Sequence, residues 1–204
     1  MKDLVFMPIK AVLLCFILIV ISSCSETDYT KLVKSEMAKK TINDSLFLGM
    51  KFGITKQDFF DGCWELNNKR LISHSSSNNF VKYQLPIKEN DSTAKIMNML
   101  FYGIFNEDKV MTGMDLKFSY DAWALWNKSY HADVLLPAIK DSLLHWYPGN
   151  DFISVPLKKN QKEMLVKIDG NRRIIIEPVE NNQEVNARID DLRYIIDKNS
   201  THEF

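Results

Sequence analysis

The chain has 204 residues, and its 26 Lys and Arg residues are balanced by 26 Asp and Glu residues. This length fits one domain or two at most, and the even charge, without a basic block, argues against a nucleic-acid-binding protein. Hydrophobic residues make up 46% of the chain, which excludes collagen-like and disordered classes. Three Cys residues are too few for a disulfide-rich scaffold.

The first residues have the pattern of a cleaved export signal. Lys2 and Lys10 supply positive charge, and an unbroken apolar run covers residues 11–21. A helix needs about 20 apolar residues to cross a bilayer, so this run is too short for a permanent anchor. It has the length of a signal-peptide core. We therefore expect residues 1–23 to be a signal peptide.

The signal ends in Ile21-Ser22-Ser23-Cys24, which resembles the lipobox of bacterial lipoproteins, usually Leu, Ala or Ser, Gly or Ala, then Cys. Ser22 and Cys24 match this motif, and the other two residues are conservative departures. The resemblance implies cleavage before Cys24 by a signal peptidase II, a diacylglycerol on its thiol and a further acyl chain, such as palmitate, on its new amine. Several acyl chains hold a protein firmly on a membrane. The alternative is an ordinary secretory signal with a chance Cys near the cut.

The residues after Cys24 bear on localisation. Lipoproteins of the enteric type carry Asp at the next position when they stay in the inner membrane, whereas this chain has Ser25. The resemblance therefore implies the outer membrane. Glu26 and Asp28 are acidic, as in some lipoproteins exported to the cell surface. Both the periplasmic side and the cell surface stay open.

Residues 24–45 are polar and show no strong apolar period. We interpret them as the lipidated N-terminus and a flexible tether, which could be helical around 31–40. A single globular domain is expected over 46–197, followed by a loose tail over 198–204.

Two helices are predicted within this domain. Thr55 has the character of an N-cap, with Asp58 three residues on, and the residues after it place apolar side chains on one helical face. A second helix is predicted over 134–147 from apolar residues spaced three and four apart. Pro137 must then lie in its first turn.

Strand patterns follow each helix. Alternating apolar and polar residues predict strands at 81–85 and 114–120, and the apolar stretch 95–105 lies between them. Asp169-Gly170-Asn171 predicts a hairpin, and alternation over 192–196 predicts a last strand. The order is helix, three strands, helix, three strands. We expect an α+β two-layer sandwich of about two helices on an antiparallel sheet of about six strands.

The helix opening Gly53–Phe59 (GITKQDF) resembles the Gly-x-Thr/Ser opening of small envelope lipoproteins of the SmpA/OmlA type. Those proteins assist outer-membrane β-barrel assembly and share an α-α-β-β-β unit with a β-lactamase-inhibitor protein. This chain is longer, and its second predicted helix lies beyond the strands. The resemblance implies a non-enzymatic envelope protein, and no binding residue is carried over from it.

Known catalytic and metal-binding motifs are missing from the sequence. The four His residues are dispersed, and there is no His-x-x-x-His, Cys-x-x-Cys, phosphate loop or nucleophile elbow. After processing, Cys63 is the only free thiol, and its place on an apolar helix face favours an inert core residue. We predict no enzyme, no cofactor and no metal.

The densest unusual stretch is Ser119–Tyr130 (SYDAWALWNKSY). Trp123, Trp126 and Tyr130 could stack on sugar rings or apolar partners, and Asp121 could hydrogen-bond hydroxyl groups. Alternatively, these aromatic residues hold a long connection on the core. Two functional hypotheses follow. The domain binds an envelope protein at the membrane, or it binds a glycan or other small ligand through the same residues.

Overall fold

The computed structural model describes residues 27–75, 80–86, 95–157 and 162–195. Within these ranges the helices are α1 (Asp28–Ala38), α2 (Lys56–Asn68) and α3 (Ala132–Trp146), and a helical turn covers residues 192–195. The strands are β1 (Ser73–His74), β2 (Val81–Gln84), β3 (Met97–Phe105), β4 (Met111–Tyr120), β5 (Ile153–Pro156), β6 (Glu163–Asp169), β7 (Arg172–Ile176) and β8 (Val185–Asp191). None of the helices in these ranges is long and apolar enough to span a bilayer. The predicted signal peptide, lipobox and tail lie outside them.

The strands form one antiparallel sheet in the order β1-β2-β3-β4-β8-β7-β6-β5. Two four-stranded meanders meet at its centre, where Leu116 of β4 pairs with Ala187 of β8. α2 precedes the first meander and α3 the second. The predicted α+β class with an antiparallel sheet is confirmed. The described residues contain eight strands rather than about six, because β1 and β5 are edge strands of two and four residues, too short for periodicity to reveal.

α2 and α3 cover one face of the sheet. Phe59 of α2 is 1% exposed, and it packs edge-on against Phe101 of β3. Ile139 and Leu143 of α3 are fully buried in the same core. The predicted start of α2 is confirmed, because the Asp58 amide donates to the Thr55 hydroxyl while the Asp58 carboxylate accepts from the Thr55 amide, both at 3.1 Å. This capping box satisfies two backbone N–H groups at the helix start.

α1 covers the opposite face of the sheet. Leu32 and Val33 of α1 pack with Val166 and Ile168 of β6 in a second cluster. Successive side chains of a strand point to opposite faces, and Leu165, which precedes Val166 in the sequence, packs against the first core. The sandwich is therefore three layers deep here, and the two-layer expectation is wrong for this half. From Thr27 onward, the segment interpreted as a flexible tether is part of the packed domain.

The second meander differs from the prediction at its end. The hairpin at 169–171 is confirmed, with Asp169 paired to Arg172 and Gly170 at a φ of +56°. The predicted last strand over 192–196 is wrong for residues 192–195, which are helical, and β8 ends at Asp191. Leu192 is buried beneath α1. Leu192 and Tyr194 are two residues apart, which is the spacing along one face of a strand, but the backbone at 192–195 forms a single helical turn.

Candidate partner-binding surface

The connection between β4 and α3 is held on the neighbouring β7–β8 connection. The indole N–H of Trp123 donates to the backbone oxygen of Asn182 at 2.9 Å. The amide of Ala132, the first residue of α3, donates to the same oxygen at 3.0 Å. Trp123 is half-buried, and its indole lies beside the His131 ring with 6.5 Å between ring centroids. Trp123 therefore fixes the connection instead of presenting a free ring face.

Tyr130 is also used inside the structure. Its ring packs edge-on against Tyr120 at the end of β4, with 5.4 Å between the centroids. The Lys95 ammonium lies 5.2 and 5.0 Å from the two ring centroids and donates to the backbone oxygen of Ser129. Cation–π contacts of this kind hold a ring and a Lys side chain together. Tyr130 thus anchors the end of the connection.

Asp121 is exposed but has protein partners. Its carboxylate accepts a hydrogen bond from the Asn98 side chain at 2.7 Å and lies 3.6 Å from the Lys82 ammonium. The hydrogen bond from Asn98 lowers the pKa of this carboxyl; burial opposes this by a lesser amount, and the nearby Lys82 ammonium lowers the pKa further. Asp121 is therefore an ionised group that joins β2 and β3 to the start of the connection.

Trp126 stands out from this connection with 87% of its surface exposed, and the preceding Leu125 is 65% exposed. The backbone beneath them is closed by a hydrogen bond from the Asn127 amide to Ala124 and by a contact of 3.2 Å between His131 Nε2 and the Leu125 oxygen. Val134, in the first turn of α3, is also exposed, and its amide bonds to the His131 oxygen. We call Leu125, Trp126 and Val134 the Trp126 patch.

The structure thus separates the four residues proposed from the sequence. Trp123, Tyr130 and Asp121 position the connection, and of the four only Trp126 has a large apolar side chain that is mostly exposed. Sequence reasoning missed Leu125 and Val134. Both residues lie within eight positions of Trp126, which could have indicated them. Their exposure, however, depends on how Asn182 and His131 hold the connection.

A second group of exposed apolar residues lies at α2. Phe60, Trp64 and Leu71 are 43%, 67% and 48% exposed. Beside Trp64 is an open groove of about 210 Å³ that Cys63 and His74 also line. Burial raises the pKa of the Cys63 thiol to about 11, so it is protonated at neutral pH and a poor nucleophile.

A buried polar cluster joins α1 to the β6–β7 hairpin, and we define it as Glu36, Asn150, Lys167 and Asp169. Asn150 donates from its side chain to Glu36 and from its backbone to Asp169, both at 2.7 Å. The fully buried Lys167 ammonium lies 2.7 Å from the Asp169 carboxylate and donates to the backbone oxygen of Asn150. These hydrogen bonds and the ion pair join α1, the residues after α3 and the β6–β7 hairpin, which fits a structural role. In the described ranges, no group of three His, Cys, Asp or Glu residues is placed to hold a metal ion.

Comparison with known proteins gives no family for this chain. No protein-family model, curated protein or solved structure matches it.

Proposed function

We propose that the chain is a non-catalytic lipoprotein of the outer membrane, anchored through acylated Cys24, whose domain binds an envelope protein through the Trp126 patch. The lipobox-like motif before Cys24 supports the anchor. The binding proposal rests on the exposure of Trp126. The other aromatic residues of the same connection, Trp123 and Tyr130, are held by contacts with Asn182 and Tyr120. The domain would work on the periplasmic side or at the cell surface.

The chemistry of the patch fits a protein partner. Trp is enriched among the residues that contribute most to protein–protein binding, because a large ring can be desolvated at the centre of an interface. The connection beneath Trp126 is already fixed by Asn182 and His131, so little backbone entropy is lost when a partner binds. Leu125, next to Trp126 in the sequence, and Val134, in the first turn of α3, are further exposed apolar side chains of this region.

The position of α1 supports a partner close to the membrane. Thr27 caps α1, and its hydroxyl accepts from the Thr30 amide at 3.2 Å. Three peptide units separate acylated Cys24 from Thr27, and they span at most about 11 Å in any conformation. Because α1 packs on the sheet, the domain would lie against the bilayer, and its partner would be reached there.

Glycan binding by the same aromatic residues has less support. A sugar site needs aromatic faces beside unoccupied polar groups in a concave pocket. Here Asp121 is paired with Asn98 and Lys82, and Trp123 is bonded to Asn182. The groove beside Trp64 is lined by other residues, and so is a groove of about 290 Å³ formed by Phe47, Tyr83, Trp146 and their neighbours.

Photo-crosslinking in cells tests the binding proposal. A photoreactive amino acid at position 126 of the full chain should give a discrete protein adduct. The same group at position 64 is a matched control, since Trp64 is also highly exposed but lies on α2. Trp126→Ala should abolish capture of the same partner by a crosslinker at 125. Equal adducts from positions 126 and 64, or none from 126, would contradict the proposal.

The anchor is tested separately with Cys24→Ala. The wild-type chain should partition with membranes and incorporate labelled palmitate. The variant should lose the label, while Cys63→Ala should keep it. Palmitate incorporation that survives Cys24→Ala would reject the lipoprotein assignment without bearing on the Trp126 patch.

A further inference from the structure

The exposed side of α1, together with the two residues that follow the helix, is basic. Residues 31–40 contain four Lys residues and one acidic residue, Glu36. Glu36 is only 5% exposed, because its carboxylate turns inward and accepts from the Gly170 amide. The four Lys residues are all exposed, and we call them the α1 lysines: Lys31, Lys34, Lys39 and Lys40. The surface of this segment is therefore more positive than its sequence suggests.

Acidic partners offset only part of this charge. The Asp28 carboxylate lies 3.3 Å from the Lys31 ammonium, and both side chains are mostly exposed. Lys39 is bonded to Glu36 but keeps 55% of its side chain exposed. Exposed ion pairs contribute little free energy, so these two pairs do not keep the ammonium groups from a further anion. Four Lys against Asp28 and Glu36 leave residues 27–42 with a net charge of +2.

An exposed apolar residue follows the last of the α1 lysines. Ile42 is 63% exposed. The backbone next to it is fixed, because the Asn43 amide donates to the Asn171 side chain at 2.6 Å and the Asn43 side chain donates to the Asp169 oxygen at 2.9 Å. Lys and exposed apolar side chains occur together on helices that lie in the headgroup region of a bilayer.

The proposed anchor places this segment close to lipid. Thr27, the N-cap of α1, is at most about 11 Å from acylated Cys24. The helix has 11 residues and is about 16 Å long. Leu32 and Val33 hold the inner side of α1 on the sheet. The exposed side, with the α1 lysines, is therefore the side that is left to meet a bilayer.

We propose that the α1 lysines bind the phosphate groups of anionic phospholipids in the membrane that holds the anchor. The inference rests on the proposed acylation of Cys24. The negative potential of such a surface attracts clusters of four or more Lys or Arg residues, and it extends about 8–10 Å at physiological ionic strength. The anchor holds the start of α1 at a comparable distance. The acyl chains thus keep the protein on the membrane, and the α1 lysines determine which side of the domain faces it.

Amine labelling of the processed, acylated protein in lipid nanodiscs tests the proposal. Nanodiscs of phosphatidylcholine alone are compared with nanodiscs that also contain phosphatidylglycerol, and acetylation of each Lys is measured by mass spectrometry. Phosphatidylglycerol should slow labelling of the α1 lysines about fivefold, as expected for Lys held at an anionic surface. NaCl at about 1 M should remove this protection by screening. Lys69, the C-cap of α2 on the other side of the sheet, is the internal control and should label equally in both lipids.

The outcomes separate this inference from the anchor. If an acylated chain held in nanodiscs showed equal labelling of the α1 lysines in both lipids, the inference would be overturned and the lipoprotein assignment would stand. A processed chain without acyl groups would overturn both. Protection that persists at high salt would also contradict an electrostatic contact with headgroups.

Removing half of the charge gives a second test. Lys31→Gln/Lys40→Asn should lessen the protection of the two remaining α1 lysines by phosphatidylglycerol. Lys69→Gln/Lys109→Asn is the matched control and should leave that protection unchanged, since it removes the same charge beside α2, where the Lys109 oxygen accepts from the Lys56 amide. Asn is used at positions 40 and 109 because their φ values are +54° and +61°, a conformation that Asn tolerates. All four substituted side chains are exposed, so both variants should unfold near the wild-type temperature. Undiminished protection in Lys31→Gln/Lys40→Asn would contradict the assignment.

Discussion

The Glu36 carboxylate of α1 accepts a hydrogen bond of 3.1 Å from the backbone amide of Gly170, 134 residues further along the chain. Its other oxygen accepts from the Asn150 side chain at 2.7 Å and from Lys39. One side chain thus ties α1 to the β6–β7 hairpin and to the residues after α3. This contact fastens α1 on that face of the sheet.

Glu36→Gln should lower the free energy of unfolding by about 1–3 kcal/mol at pH 7, because a buried charged acceptor of several hydrogen bonds is lost. Burial alone would raise the pKa of Glu36, but the hydrogen bonds from Lys39, Gly170 and Asn150 lower it below its ordinary 4.5. A carboxyl with a lowered pKa stabilises the fold above its unfolded-state value, and the effect is lost as pH falls through the folded-state value. The difference between wild type and variant should therefore shrink below pH 4.5.

Urea unfolding followed by circular dichroism between pH 7 and pH 3 measures this difference. Lys39→Gln is the control: the Lys39 side chain is 55% exposed, so its loss should cost less than about 1 kcal/mol. A constant gap between wild type and Glu36→Gln at all pH values would contradict the assignment.

Gly170→Ala should destabilise the fold by about 1–3 kcal/mol through backbone strain and steric conflict. Gly170 has a φ of +56°, and a Cβ atom there would lie 2.2 Å from the Thr41 oxygen. Gly62→Ala is a matched substitution with the opposite expectation, because Gly62 lies inside α2 and its added Cβ meets no atom within 4 Å. It should stabilise the protein by about 0.5–1 kcal/mol. Thermal unfolding of both variants compares them, and a Gly170→Ala protein as stable as wild type would be inconsistent with the turn.

Trp123 and Trp126 should behave differently in stability measurements. Trp123→Ala removes a half-buried ring and its bond to Asn182, so we expect a loss of about 1–3 kcal/mol. Trp126→Ala removes an exposed ring and should change stability by less than about 0.5 kcal/mol. Chemical unfolding of the two variants tests this. If Trp126→Ala were the more destabilising, Trp126 would belong to the fold and the crosslinking experiment would need reinterpretation.

Cys63 should react slowly with thiol reagents in the native protein. With its pKa raised to about 11 by burial, the thiolate fraction at pH 8 is about 100-fold below that of an ordinary cysteine. Reaction with iodoacetamide, followed by mass spectrometry, should be correspondingly slow, rise with pH and become fast in denaturant. Rapid modification of the folded protein at pH 7 would show an activated thiol and reopen a catalytic role.

Local chemistry accounts for the parts of the fold that could be predicted from sequence. The capping box at Thr55 and Asp58 and the turn at Gly170 depend on residues within a few positions of each other. α1 was harder to recognise. Tyr29, Leu32, Val33 and Met37 form a helical stripe, but the buried Glu36 interrupts it. From sequence alone, a charged residue such as Glu36 is expected to face solvent. The partners that allow its burial, Asn150 and Gly170, are more than 100 residues away in the sequence.

The candidate sites show the same dependence on distant contacts. Sequence indicated the aromatic connection, yet it could not tell Trp123 from Trp126, because the distinction depends on the backbone of Asn182. The groove formed by Phe47, Tyr83 and Trp146 likewise joins three separate segments of the chain. No local sequence pattern connects these residues.

The two outer strands limit pairing between molecules, which would matter most if the chain is held on a membrane as proposed, since neighbouring copies would then meet often. β1 has only two residues, and β5 ends in Pro156, which has no N–H to offer a neighbouring strand. Open, regular sheet edges invite pairing between molecules, and short or proline-containing edges discourage it. The eight-stranded sheet therefore ends, on both sides, in strands that make poor templates for aggregation.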